Sequence, residues 1–151
     1  MKYLNCFENF KSYKKGLNVN YSAIILDKDS RNQLLSKFIY NNPDFSDWIK
    51  VCDHMTICMG ELPEHMKRYW LDEEVELVVT EIGISEKAVA VRVENFSTIV
   101  KSNPKDEINR FSHITLAINP FDGKSLDSNF ITDWKKITPI TIKGVVKEVL
   151  N

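Results

Sequence analysis

Two seven-residue segments carry one alternation: Asp53-His54-Met55-Thr56-Ile57-Cys58-Met59 and Ser112-His113-Ile114-Thr115-Leu116-Ala117-Ile118. Large apolar residues stand at every second position, Met55, Ile57 and Met59 in the first, Ile114, Leu116 and Ile118 in the second. Successive side chains of a strand point to opposite faces, so each segment reads as a strand with one face in a core. The other face starts with His, then Thr. It continues with smaller residues, Cys58 and Gly60 in one copy, Ala117 and Asn119 in the other. A chain built around these strands must bury one side of each and keep room above the other.

The remaining pattern supplies partners for these strands. Residues 20–26 read as a strand, and Ser30-Arg31-Asn32-Gln33 matches a capping box, so a helix is expected to start there. Leu34, Leu35, Phe38 and Ile39 give it one apolar stripe, and Asn41-Asn42-Pro43 ends it. A second strand region spans 49–59, and a short helical piece 64–70. Residues 75–79 and 89–93 read as a hairpin with its loop at 83–87. Residues 98–110 read as a loop, 122–124 as a turn, and 128–134 as one or two helical turns. The last strand is expected over 140–149, with a parity switch at Gly144 of the kind a bulge causes. An N-terminal helical extension is expected within 1–19, on Leu4, Phe7 and Phe10 before Gly16. About six strands, some joined by hairpins, with two or three helices make the class α+β.

Length and charge narrow the functions. The 151 residues suit one domain over 1–151, and 43% apolar residues are enough for a core. A formal net charge of −1 argues against gripping duplex DNA, which rewards a basic surface. A short nucleotide in a local pocket remains open. No apolar run approaches the roughly 20 residues of a membrane span, and the charged start lacks a signal-peptide core, so a cytoplasmic location is expected. Three cysteines suit free thiols in a reducing compartment. In an extended strand Cys52 and Cys58 would stand roughly 20 Å apart, too far to share a metal, so neither metal nor cofactor is expected.

The histidines carry the chemistry. The chain has three, and two of them have Thr two residues on. With Thr at seven of 151 positions, chance gives that pairing roughly 0.6% of the time. Breaking a phosphodiester by in-line displacement needs a base on one side and an acid on the other. Imidazole titrates near neutrality, so His54 and His113 can divide these roles. The hydroxyls of Thr56 and Thr115 can donate to non-bridging oxygens, where charge builds in the transition state. Lys124, Ser128 and Asn129 follow the second motif in a polar turn and are candidates to contact phosphate or sugar. Tyr21 is a candidate to stack on a base, as Trp48, Trp70 and Trp134 are, against core packing. His65 lies among charges and reads as a surface residue.

The segments DHMTICMGEL at 53–62, AVAVRV at 88–93, SHITLAINPFDGKSLDSN at 112–129 and ITIKGVVKEV at 140–149 together resemble the two-histidine (2H) phosphoesterase superfamily. The branch most similar is the one described as Swiss Army knife RNA-repair-like. The resemblance covers most of the chain from residue 20 onward. It implies a two-lobed fold, antiparallel sheets with outer helices around a central cleft that His54, Thr56, His113 and Thr115 line. It also implies metal-independent cleavage of a 2′,3′-cyclic phosphate, 2′-5′ linkage or cyclic nucleotide, the substrate being a small nucleotide or RNA end. One alternative is hydrolysis of cyclic oligonucleotide second messengers, which in a virus would blunt immune signalling in the host cytoplasm. Another is a non-catalytic nucleotide-binding module. The spacing of 59 positions from one histidine to the other is short for this family, which implies a trimmed lobe.

Overall fold

The computed structural model describes residues 18–96 and 111–151. The expected helix at 5–15 and the expected loop at 98–110 lie outside the described residues. In chain order the elements are β1 (Val19–Leu26), α1 (Lys28–Leu35, running on into one π-helical turn, Ser36–Tyr40), β2 (Ile49–Lys50) and β3 (His54–Met59). There follow α2 (Glu64–Trp70), β4 (Glu74–Ile84), β5 (Ala88–Val93), β6 (His113–Ile118), a 3-10 segment (Ser125–Phe130) and β7 (Trp134–Leu150). The class is α+β.

The strands form one antiparallel sheet in the order β2-β6-β3-β1-β7-β4-β5, and β5 pairs back onto β6, closing it into a barrel. The main core draws Ile24, Met55, Ile57, Leu77, Val79, Val91, Ile114, Leu116, Ile142 and Val146 from all six strands of the ring. Leu34, Leu35 and Ile39 of α1 complete it, as the apolar stripe predicted. A smaller cluster of Ala88, Ala90 and Ile131, with Ile118 and Trp134 against it, lies on the other face of β5 and β6.

Several boundaries differ from the sequence reading. The first helix begins at Lys28, capped by Asp27, whose carboxylate accepts from the Ser30 N–H at 2.7 Å. Ser30 is buried instead, and its hydroxyl accepts from the Lys143 N–H. An ionised carboxylate bonds the first-turn amides more strongly than a hydroxyl does. The segment 49–59 is interrupted at Cys52, which takes a positive φ of 47°. The last strand starts at Trp134, and Pro139 fits because the β4–β7 register slips between Val79 and Glu81. A proline there has no N–H to lose.

Gly144 is not at a bulge. The β1–β7 pairing runs in step from Tyr21↔Val149 to Leu26↔Gly144. Ile142, Gly144 and Val146 all face the core, while Val145 and Val149 are half-covered on the other side. A Cβ at Gly144 would stand 2.6 Å from the Ile25 carbonyl oxygen and from Ile24 Cγ2. Because β1 would have to move, Gly144→Ala is expected to cost about 1–3 kcal/mol, the range for overpacking. Urea unfolding at neutral pH checks this; an unchanged midpoint would show that β1 and β7 are not so closely apposed.

Candidate active site

β3 and β6 lie side by side, joined at Met55↔Ile114. Both of these side chains are fully buried in the core. Their neighbours along each strand therefore point to the opposite face, and those neighbours are His54, Thr56, His113 and Thr115. The pairing goes no further toward His113. Upstream, segment 49–52 stays on β6, with the Cys52 N–H bonded to the Thr115 carbonyl at 2.8 Å. The two motif strands thus meet at one pair, and the four motif residues flank it.

Each motif strand has a second neighbour, and the two outer pairings match. On β1, Ala23, Ile24 and Ile25 oppose Thr56, Met55 and His54. On β5, Ala90, Val91 and Arg92 oppose Thr115, Ile114 and His113. The register then slips at the same place in both. Ser22 opposes Cys58 and Val89 opposes Ala117, so Ile57 and Leu116, each directly after its Thr, are the extra residues. A bulge of this kind bends the strand and sharpens its twist. It also reverses the parity beyond it. The expectation that Cys58 and Ala117 continue the His-Thr face is therefore corrected: both join the core. Met59, expected in the core, is 66% exposed.

The two imidazoles are tuned differently. His113 Nδ1 donates to the Phe111 carbonyl at 3.0 Å, since a carbonyl can only accept. The neutral ring then keeps its lone pair on Nε2. Burial holds His113 below the usual histidine range and the Arg92 charge adds to this, while the Phe111 bond opposes it. Burial also lowers His54, with His113 adding to the effect and the Asp53 carboxylate opposing it. Each imidazole has an aromatic neighbour, Tyr21 with its ring centroid 5.1 Å from His54 and Phe111 at 5.2 Å from His113.

The 3-10 segment covers Thr115. The Thr115 hydroxyl is 2.8 Å from the Ser128 hydroxyl, and both residues are buried. Ser128 was expected at the substrate; it sits behind Thr115 instead, placed to orient that hydroxyl. Lys124 is exposed at the start of the segment, its backbone N–H donating to Asp127. Asn129 is half-buried, and among the described residues no hydrogen bond or ion pair ties it or Lys124 to the histidines. Trp134 packs as Trp48 does, its Nε1 donating to the Ile131 carbonyl at 3.0 Å. Trp48 meets Phe45 edge-on, and Trp70, 40% exposed, meets Phe96 the same way. His65 is exposed.

The sequence reading passed over Arg92 and Phe111. The signal for Arg92 was present in AVAVRV, where Ala88, Ala90 and Arg92 alternate with three valines: a lone charge on the face beside a histidine. Among the described residues, no three His, Cys, Asp or Glu side chains gather as a metal site. Both described cysteines are buried free thiols, and burial pushes Cys52 up to about 12. Among the same residues no helix is long and apolar enough to cross a membrane. A comparison with protein-family models finds no match, nor does one with curated proteins.

The lowered imidazoles make a pH prediction. Both return to about 6.5 on unfolding, so the unfolded chain takes up protons first as the pH falls. Their contribution to stability is full above about pH 6.5 and is lost as the pH falls toward the folded values. Urea midpoints should drop from pH 7.5 to 5, and less so in His54→Asn/His113→Asn. Ring signals of both histidines titrating at or above 6.5 would contradict the burial described.

Proposed function

We propose that the protein is a metal-independent phosphodiesterase that opens a 2′,3′-cyclic phosphate, or a related phosphodiester, on an RNA end or short nucleotide. The observation that supports this most is the shared face: two His-Thr pairs on adjoining strands, each set by the same outer register and the same bulge. The repetition also supports reading β1–β3 and β5–β6 as counterpart halves on either side of the β3–β6 junction. In the two-lobed reading that junction is the floor of the cleft.

In this reaction His113 is the base. Its Nδ1–H is held by the Phe111 carbonyl and the Arg92 charge favours the neutral ring, so Nε2 takes a proton from water. The water oxygen bonds to phosphorus as the bond to one ribose oxygen breaks. His54, which Asp53 favours in its charged form, gives that oxygen a proton. Burial lowers both rings before substrate arrives; the phosphate's negative charge then favours protonation of His54. Thr56 and Thr115 donate to the non-bridging oxygens. The Thr115 hydroxyl lies 2.8 Å from the Ser128 hydroxyl and 3.5 Å from the Ser125 carbonyl, so its proton turns from that carbonyl to the phosphate when substrate binds.

A second reading, hydrolysis of a cyclic oligonucleotide, is favoured by the aromatic ring beside each imidazole. A substrate with a base on either side of the scissile phosphate would use both Tyr21 and Phe111.

A panel of a 2′,3′-cyclic mononucleotide, a 2′-5′ dinucleotide and cyclic dinucleotides, each with and without chelator, separates these readings. Turnover should persist in excess chelator; loss that Mg²⁺ or Mn²⁺ restores would sink the two-histidine mechanism. On the preferred substrate His54→Ala and His113→Ala should each lose about 10²–10⁴-fold, the scale for a general acid or base. The double variant should be little worse, since the two act in one transition state. Thr56→Ala and Thr115→Ala should lose about 10–10³-fold, and His65→Ala almost nothing. A folded His113→Ala protein with near wild-type single-turnover rate would end the proposal.

A further inference from the structure

The two halves of the site match position by position until the residue opposite each histidine. On β1 that residue is Ile25; on β5 it is Arg92. The difference places one fixed positive charge on the His113 side.

Arg92 is held in an unusual way. Its guanidinium carbon lies 4.5 Å from the ring centroids of both Phe111 and Trp134, which meet each other edge-on. Glu81 approaches from β4, brought opposite Arg92 by the register slip after Val79. Its carboxylate is 3.7 Å from Arg92 Nη1, an ion pair too long for a hydrogen bond. Glu81 in turn lies opposite Lys136 of β7 in the sheet register.

Arg92 Nε is buried and has no hydrogen-bond partner among the described residues. The Nε–H points the same way as one Nη2–H, and together they make the side-on fork that accepts two oxygens of one phosphate or carboxylate. A buried donor with no acceptor is costly and calls for an explanation in a native fold. The side chain as a whole is 35% exposed, while Nε itself is buried. The aromatic rings fix the guanidinium plane in advance, and an anion that binds there pays little to order it.

We propose that the Nε/Nη2 edge of Arg92 is a phosphate subsite on the His113 side of the cleft, holding a phosphate of a nucleotide substrate by two parallel hydrogen bonds. This rests on the phosphodiesterase reading for its substrate and not for its geometry. The half with Ile25 has no counterpart, so the subsite gives the substrate a direction: the phosphate is bound toward β5, and the apolar Ile25 side takes none.

The test is made on the full chain labelled with ¹⁵N at arginine and histidine. Inorganic phosphate, then adenosine 2′-monophosphate, is titrated in while the Arg92 Nε–H and the ring nitrogens of His54 and His113 are followed. The expected result is a saturable shift of the Arg92 Nε–H together with the histidine signals. Arg92→Met, which keeps an apolar stem between the rings, should bind adenosine 2′-monophosphate at least tenfold more weakly. Arg92→Lys should not restore the affinity, because an ammonium has no fork. Circular dichroism checks that both variants fold; if both fail to fold, the wild-type titration alone decides. Histidine signals that move while Arg92 Nε–H stays still would overturn the subsite and leave the phosphodiesterase reading standing. Neither set moving up to saturating nucleotide would overturn both. A folded Arg92→Met protein with unchanged affinity would also overturn the subsite.

Discussion

One packing requirement organises the candidate site. Met55 and Ile114 are both fully buried, and they face each other across the one register pair that joins β3 to β6 among the described residues. Neither can turn outward without exposing a large apolar side chain, at about 1.5–3 kcal/mol each. With both turned inward, the period of two forces His54, Thr56, His113 and Thr115 to the other face. No polar interaction has to gather them; the core does so by exclusion. The bulges at Ile57 and Leu116 limit the arrangement to the four. Just past each Thr the parity reverses, so Cys58 and Ala117 return to the core. The polar face is thus two residues long on each strand, which matches one phosphate group better than an extended groove.

The alanines opposite the threonines serve the same end. Ala23 opposes Thr56 and Ala90 opposes Thr115, both fully buried. A larger side chain at either place would crowd the hydroxyl beside it. The asymmetry lies one step further along, at Ile25 and Arg92. One half of the repeated unit is apolar there, and the other holds a guanidinium between two rings. Repetition explains the shared setting of the histidines, and the exception contributes, with Asp53, to their difference in charge environment.

The alternation in DHMTICM and SHITLAI was legible because a period of two is a local property, and it located the four motif residues and the core face of each strand. The bulges were not legible. A bulge is a relation between two strands, and nothing in Thr56-Ile57-Cys58 alone says that β1 skips Ile57. Met59 was misassigned for that reason. Ser30 was misread because its spacing to Gln33 matches a capping box, while Asp27, three residues earlier, had the stronger claim as an ionised acceptor. Gly144 looked like a parity switch because β7 is covered on both faces: Val145 and Val149 are half-covered opposite Ile142 and Val146. Trp134 was separated from β7 by two lysines and a proline, which reads as loop until the slip at Val79/Glu81 makes room for Pro139. Ser128 was found as a polar residue near the site, but its burial behind Thr115 depends on where the 3-10 segment folds back.

Burial works both for and against the proposed chemistry. It lowers both imidazoles and so disfavours the charged acid that the leaving oxygen requires. The same low-dielectric surroundings strengthen each hydrogen bond and charge interaction made there. The neighbours divide this effect unequally. Arg92 adds to the lowering at His113, the base of the proposed reaction; Asp53 opposes it at His54, the proposed acid. Asp53 is itself 3.7 Å from Arg31, whose guanidinium also reaches the Val51 carbonyl. The carboxylate is thereby held at the interruption between β2 and β3, beside the histidine it favours in charged form. In the proposed reaction a phosphate at the shared face would bring further negative charge beside His54 and so oppose the lowering that burial causes there.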